Sequence, residues 1–202
     1  MCKEDTYLTI ASSSEGLYKD KGSKFLAFAA PVRSVDEAMA FVDKIRKDYH
    51  DARHVCYAYM IGPQRDTFRS NDDGEPSGTA GKPILGQINS ANLTNIVIAV
   101  VRYFGGILLG TSGLIVAYRT AAAEAINAAK LTERIVEQSI VLTYGYESMN
   151  QVMRIVKEHA LTIVSHEQDF HCRLTLLCRL SMLPVVQEKV KHLRTVKFEL
   201  LK

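Results

Sequence analysis

Two polar stretches of this chain carry side chains able to do chemistry. The first reads Asn71-Asp72-Asp73-Gly74-Glu75-Pro76-Ser77-Gly78-Thr79-Ala80-Gly81-Lys82-Pro83. Asp72, Asp73 and Glu75 set three carboxylates within four positions, and such a group repels itself unless a cation or basic side chains stand close by. Arg69, Lys82 and Arg102 are the candidate counterions. Hard divalent ions favour oxygen clusters. One chemistry open to the stretch is therefore metal-assisted hydrolysis or phosphoryl transfer, with Mg²⁺ on Asp72, Asp73 and Glu75 and His54 carrying the proton. The other reading is a solvated acidic turn that caps the next helix. Ca²⁺-loop spacing is absent, since Gly74 is followed at once by Glu75-Pro76.

The second stretch reads Arg102-Tyr103-Phe104-Gly105-Gly106-Ile107-Leu108-Leu109-Gly110-Thr111-Ser112-Gly113. Its chemistry is that of backbone amides. Gly105 and Gly106 follow an apolar run, and Gly110 to Gly113 precede a helical pattern. A strand, a glycine loop and a helix start together form a usual anion pocket. Arg102 and Arg119 flank it and suit phosphate or carboxylate. The glycine spacing matches neither the dinucleotide fingerprint nor the Walker loop, and the same glycines also serve tight turns and close packing.

These stretches need elements to hold them. The run Asn95-Ile96-Val97-Ile98-Ala99-Val100-Val101 is continuous, β-branched and apolar, which predicts a strand buried on both faces. Ahead of it the pattern predicts strands over 5–10, 15–20 and 24–32. A helix over 34–49 should be opened by Ser34 with Glu37 as a capping box. A strand follows over 55–61, with Arg53 and His54 at its mouth. His54 is there a general base, an anion contact or a solvent-facing side chain. Residues 62–69 read as a polar loop, and 82–91 as a helix whose Lys82-Pro83 suits a first turn. Residues 114–130 read as a helix whose small run Ala121-Ala122-Ala123 allows close packing on a sheet.

Thr132 to Arg134 is short and charged, and a domain boundary is placed there, giving domains 1–133 and 134–202. Beyond it the pattern predicts a strand over 135–146, a helix over 148–159, a hairpin from 161–168 and 171–180, a helix from Pro184 and a strand over 196–201. That order, βαββαβ, is the ferredoxin-like pattern. Met149, Met153 and His159 read as core rather than as ligands. The expected class is α+β.

Composition sets further bounds. The chain has 202 residues, is 47% hydrophobic and 23% charged, and carries a net charge of +3, which permits a nucleic-acid partner without demanding one. Cys2, Cys56, Cys172 and Cys178 show no metal spacing and read as reduced thiols of a cytoplasmic protein. No signal peptide is evident at the start, and no apolar segment reaches the roughly 18 residues of a membrane span.

The run from Asn71 to Pro83, then Val100-Val101-Arg102-Tyr103-Phe104-Gly105-Gly106 with Leu109-Gly110, then Gly113-Leu114 with Ala117-Tyr118, resembles the signature of the IMPACT family. Its bacterial members show Gly-x-Gly-Gly-Leu where this chain has Gly110-Thr111-Ser112-Gly113-Leu114. The resemblance implies an N-terminal domain similar to ribosomal protein S5 domain 2 and a C-terminal domain similar to the last domain of elongation factor G. Both point to RNA or the ribosome. Eukaryotic relatives restrain the kinase that phosphorylates an initiation factor in amino-acid starvation, by competing for its activator. The C-terminal domain suits the bacterial form, for which that role does not transfer.

The leading expectation is a cytoplasmic, non-enzymatic regulator that binds RNA or the translation machinery. Its polar cleft would be lined by Arg53, His54, Asp72, Asp73, Glu75, Thr79, Lys82, Arg102, Tyr103 and Tyr118. Arg53, Lys82, Arg102 and Arg119 would meet phosphates, assisted by the amides of Gly105, Gly106, Gly110 and Gly113. Tyr103 or Phe104 would stack on a base. The alternatives are the metal-assisted enzyme above and a protein-interaction module that uses the acidic loop.

Overall fold

A computed structural model describes residues 5–201. The chain runs β1 (Thr6–Ile10), β2 (Ser14–Asp20), β3 (Ser23–Pro31), α1 (Val35–Asp48), β4 (His54–Ile61), β5 (Thr67–Asn71), α2 (Gly81–Ser90), β6 (Ile96–Tyr103), α3 (Gly110–Asn127) and β7 (Leu131–Ile135). It continues as β8 (Glu137–Tyr144), α4 (Met149–Glu158), β9 (Thr162–Gln168), β10 (Cys172–Arg179), α5 (Leu183–Lys191) and β11 (Lys197–Leu200). Helices and antiparallel sheets of this kind are an α+β architecture. Contacts divide the chain into two units, Tyr7–Arg134 and a second that starts at Ile135 and includes Asp5 and Thr6. Thr132 to Arg134, expected as a charged link, lie within β7, which pairs with β1. Most of β7 is exposed, so its composition resembles a linker's.

The first unit is built on a five-stranded antiparallel sheet in the order β2-β3-β6-β4-β5. β6 sits at its centre and is covered on both faces, which is why its sequence does not alternate. Successive residues still point to opposite sides. Ile96, Ile98 and Val100 pack with Ile84 and Ile88 of α2 and Ala117, Tyr118 and Ala121 of α3. Val97, Ala99 and Val101 pack with Ala38, Val42 and Ile45 of α1. β5 lies at the sheet edge with three of its residues exposed, and that polar composition made it read as loop. Ser34 caps α1 by accepting from the Glu37 N–H at 3.1 Å. Glu37 itself accepts from the Arg33 N–H, one residue earlier than a capping box would have it.

The second unit carries a four-stranded sheet in the order β11-β8-β10-β9, with every neighbouring pair antiparallel. Ile140, Leu142, Leu174 and Leu176 face Val152, Val156, Val186 and Val190 of α4 and α5. Met149 and Met153 pack against this core. Arg179 grips Asp5 through two hydrogen bonds. Hydrogen bonds from Arg179 and Ser181 hold the Asp5 carboxyl well below the usual carboxylate range. Cys56, Cys172 and Cys178 are buried free thiols, while Cys2 lies outside the described residues. Among the described residues no helix is long and apolar enough to cross a membrane.

Candidate functional site

Strand register brings the two polar stretches to one end of the five-stranded sheet. β4 and β6 set His54 opposite Arg102, and β3 sets Phe25 opposite Arg102 and Lys24 opposite Tyr103. Arg102 continues the row of Ile96, Ile98 and Val100, so its side chain enters the face covered by α2 and α3. There it is buried, 8% exposed. Its Nη1 donates to Glu75 Oε1 at 2.6 Å. Its Cζ lies 5.6 Å from the Phe25 ring centre and 5.7 Å from that of Phe104, within cation–π reach. Tyr118, fully buried on α3, donates its hydroxyl to the same Glu75 oxygen at 2.8 Å. Cys56 Sγ completes the network, 3.0 Å from the Asp72 carbonyl oxygen and 3.3 Å from Tyr118 Oη. Burial pushes the Cys56 thiol and the Tyr118 phenol far up. Both stay protonated, so Cys56 is no nucleophile.

The acidic stretch is folded back on the protein. Asp73 and Gly74 adopt left-handed conformations, φ 44° and 86°, inside a turn closed by the Glu75 N–H donating to the Asp72 carbonyl at 2.9 Å. Asp72 accepts from the N–H groups of Gly78 at 2.8 Å, Ala80 at 3.0 Å and Gly81 at 2.8 Å, and so caps the start of α2. Burial acts to raise its carboxyl, but those three donors and nearby Lys82 outweigh burial and hold it below 3.8. Asp73 accepts from the Val55 N–H at 2.7 Å and from Arg46 Nη2 at 2.9 Å. Its carbonyl oxygen lies 2.7 Å from His54 Nδ1. A carbonyl only accepts, so Nδ1 carries the proton of this hydrogen bond. Thr79 is buried and donates to the Pro76 carbonyl at 2.6 Å.

This arrangement corrects the expectation of one open polar cleft. Glu75, Thr79, Arg102 and Tyr118 form interior contacts instead of lining a solvent-filled groove. Arg46 and Arg102 form ion pairs with Asp73 and Glu75, the Lys82 charge acts on Asp72, and Arg69 is exposed on β5. The Mg²⁺ site is not assembled, because the three carboxylates turn to three different sets of protein donors. Among the described residues no three His, Cys, Asp or Glu side chains stand so as to hold a metal ion. Arg46 and Cys56 were missed as members of the network. Arg46 lies 27 positions from Asp73, and no local signal links the two.

The remaining expected residues stay near the surface. Arg53 is exposed and His54 half-buried. Tyr103 donates to Asp51 at 2.7 Å, and that bond, with some burial and the Asp51 charge, raises its phenol to about 12. After β6 the chain makes an exposed loop in which Phe104 is 55% and Leu108 81% accessible. Gly105 is required there. A Cβ on it would stand 1.9 Å from the Gly22 carbonyl carbon and 2.2 Å from Ser23 N. Its N–H donates to Ser23 Oγ at 3.1 Å, so that amide is not free for an anion. Gly106 and Gly110 have φ of 87° and 71°, and α3 begins at Gly110, four residues ahead of the expected start at Leu114, so Gly113 lies inside its first turn. Lys82 and Arg119 line a different depression, between α2 and α3.

Residues 21–126 match the Impact N-terminal domain, a span that holds both polar stretches and the whole buried network. An IMPACT family member of Haemophilus influenzae is 33% identical over 163 residues, 80% of this chain and 78% of its own. IMPACT family member YvyE of Bacillus subtilis is 35% identical over 153 residues, 76% of this chain and 70% of its own. A crystal structure of a hypothetical protein superposes with a TM-score of 0.76 at 26% identity, covering 99% of both chains. The match spans more than half of the chain, and with relatives aligned over most of their own lengths it makes this chain a member of the IMPACT family.

Proposed function

We propose that this IMPACT-family chain is a non-enzymatic cytoplasmic regulator that binds RNA, free or within the translation machinery, through the sheet end of its first unit. One observation carries the reading: every carboxylate of the acidic stretch is held by donors of the fold, while basic and aromatic groups beside it face solvent. Lys24 sits opposite Tyr103 across the β3–β6 pair, and Lys24, Arg53 and Phe104 are exposed. Cations in such a row meet phosphates, and an exposed ring beside them stacks on a base. Of the four cations expected to meet phosphates, Arg102 is buried against Glu75; Arg53 keeps the role at this sheet end, and Lys24 joins it. Asp51, exposed and bonded to Tyr103, lies two residues before Arg53 and tempers the field of this row.

The same proposal takes residues 1–133 as a domain like ribosomal protein S5 domain 2 and 134–202 as a ferredoxin-like domain. The βαββαβ order and the β11-β8-β10-β9 arrangement support the second assignment. The test is anisotropy of a labelled single-stranded RNA over a salt series. Affinity should fall with salt, and Arg53→Ala/Lys24→Ala should reduce the log–log slope by about 1.4, two single-strand contacts. Phe104→Ala should weaken binding by about 1–3 kcal/mol with the slope unchanged. Absence of binding at low salt overturns the proposal.

A further inference from the structure

The depression between α2 and α3 has a chemistry of its own. It is an open surface depression of about 510 Å³, within the roughly 300–1,000 Å³ of small-molecule sites. Lys82 enters it from α2 and Arg119 from α3. Neither is in an ion pair among the described residues, and no Asp or Glu lines the space. Lys82 helps to keep Asp72 ionised, but that carboxylate is already held by three N–H groups. Two cations therefore face one cavity. Gln87 adds a side-chain amide and Ile115 an apolar wall. Gly86 forms part of the lining, and a Cβ built on it meets nothing within 4 Å. None of Arg53, His54, Arg102 or Tyr103 takes part.

We infer that this depression is a binding site for a phosphate monoester of nucleotide size, separate from the RNA-binding surface and independent of that reading. A phosphate monoester carries about −1.5 to −2 charge at neutral pH, which two cations outside any ion pair and facing one depression attract. The planar Arg119 fork and the Lys82 ammonium supply donors to its oxygens. Gln87 hydrogen-bonds the polar part of the ligand and Ile115 covers its apolar face. The monoester has two possible sources, a free nucleotide or the 5′-phosphate end of an RNA.

The experiment titrates the full chain with AMP, with adenosine, and with one RNA oligonucleotide bearing either a 5′-phosphate or a 5′-hydroxyl. AMP should bind saturably with Kd on the order of 1 mM or tighter and adenosine about tenfold more weakly; if the RNA end is the natural source, the 5′-phosphorylated oligonucleotide should outbind its hydroxyl form. Lys82→Ala/Arg119→Ala should remove the phosphate preference. Gly86→Leu keeps both charges, projects a side chain into the open space and removes a glycine from a helix interior, so it leaves α2 intact. It should weaken monoester binding at least about tenfold, while Arg53→Ala should leave AMP binding unchanged. No phosphate-dependent binding of either probe overturns the inference. Binding that survives Gly86→Leu overturns it too, because the ligand then sits elsewhere.

Discussion

Replacing Glu75 by leucine tests the buried network most directly. The two partners are almost wholly removed from water, with side chains 9% exposed at Arg102 and 3% at Glu75. A guanidinium cannot shed its charge, so Glu75→Leu strands a cation between Phe25 and Phe104 and leaves the Tyr118 hydroxyl without its acceptor. Breaking a buried pair from one side costs about 3–5 kcal/mol. For a unit of this size that is a fall in Tm on the order of 10–20 °C. Arg102→Met should cost less, because a lone carboxyl can take up a proton and still accept from Tyr118. The double variant removes both charges and fills the space with apolar atoms, a change that is often close to neutral. It should be more stable than Glu75→Leu alone, with a coupling of about 2 kcal/mol or more. Urea unfolding followed by circular dichroism gives the four stabilities, and the transition of the second unit should stay in place as an internal reference. If Glu75→Leu costs under about 1 kcal/mol, the value of an exposed pair, or if the two single costs simply add, the pair is not the buried tie described above.

Two further substitutions probe the loops. Gly105→Ala forces a methyl into the Gly22 and Ser23 backbone at 1.9 and 2.2 Å; neither side can yield like a side chain, so the loss should reach or exceed the upper end of roughly 1–3 kcal/mol for overpacking, and a melting curve that overlays wild type refutes the contact. Asp72→Asn replaces one acceptor oxygen by a donor facing an N–H and should cost about 1–3 kcal/mol at pH 7. Because the native Asp72 carboxyl lies below 3.8, its stabilisation is complete above the unfolded value near 4 and is lost as pH falls through the lower native value. The gap between wild type and Asp72→Asn in urea midpoint should hold from pH 7 to about 5, begin to narrow near about 4 and close as pH falls through the lower native value; a gap that persists at the acid end would show that the carboxylate charge is not what caps α2.

The sequence alone determined the elements whose signal is local. The apolar run from Ile96 declared a doubly covered strand, Ser34 and Glu37 marked the start of α1, and the periodic stripe of Val152 and Val156 marked α4. The two glycine-bearing stretches also carried the resemblance to the family, since a signature motif is a run of residues legible without the fold. Only the tertiary structure decided what the polar side chains do. Asp72, Asp73 and Glu75 are neighbours in sequence, yet one meets amides of Gly78, Ala80 and Gly81, one meets Arg46 and Val55, and one meets Arg102 and Tyr118. A carboxylate accepts from any donor that the fold brings within 3 Å, and its residue type cannot say which. The same reason separates Lys82 and Arg119 from Arg102: side-chain type makes all three phosphate ligands, but register and helix packing bury one and leave two facing an open cavity.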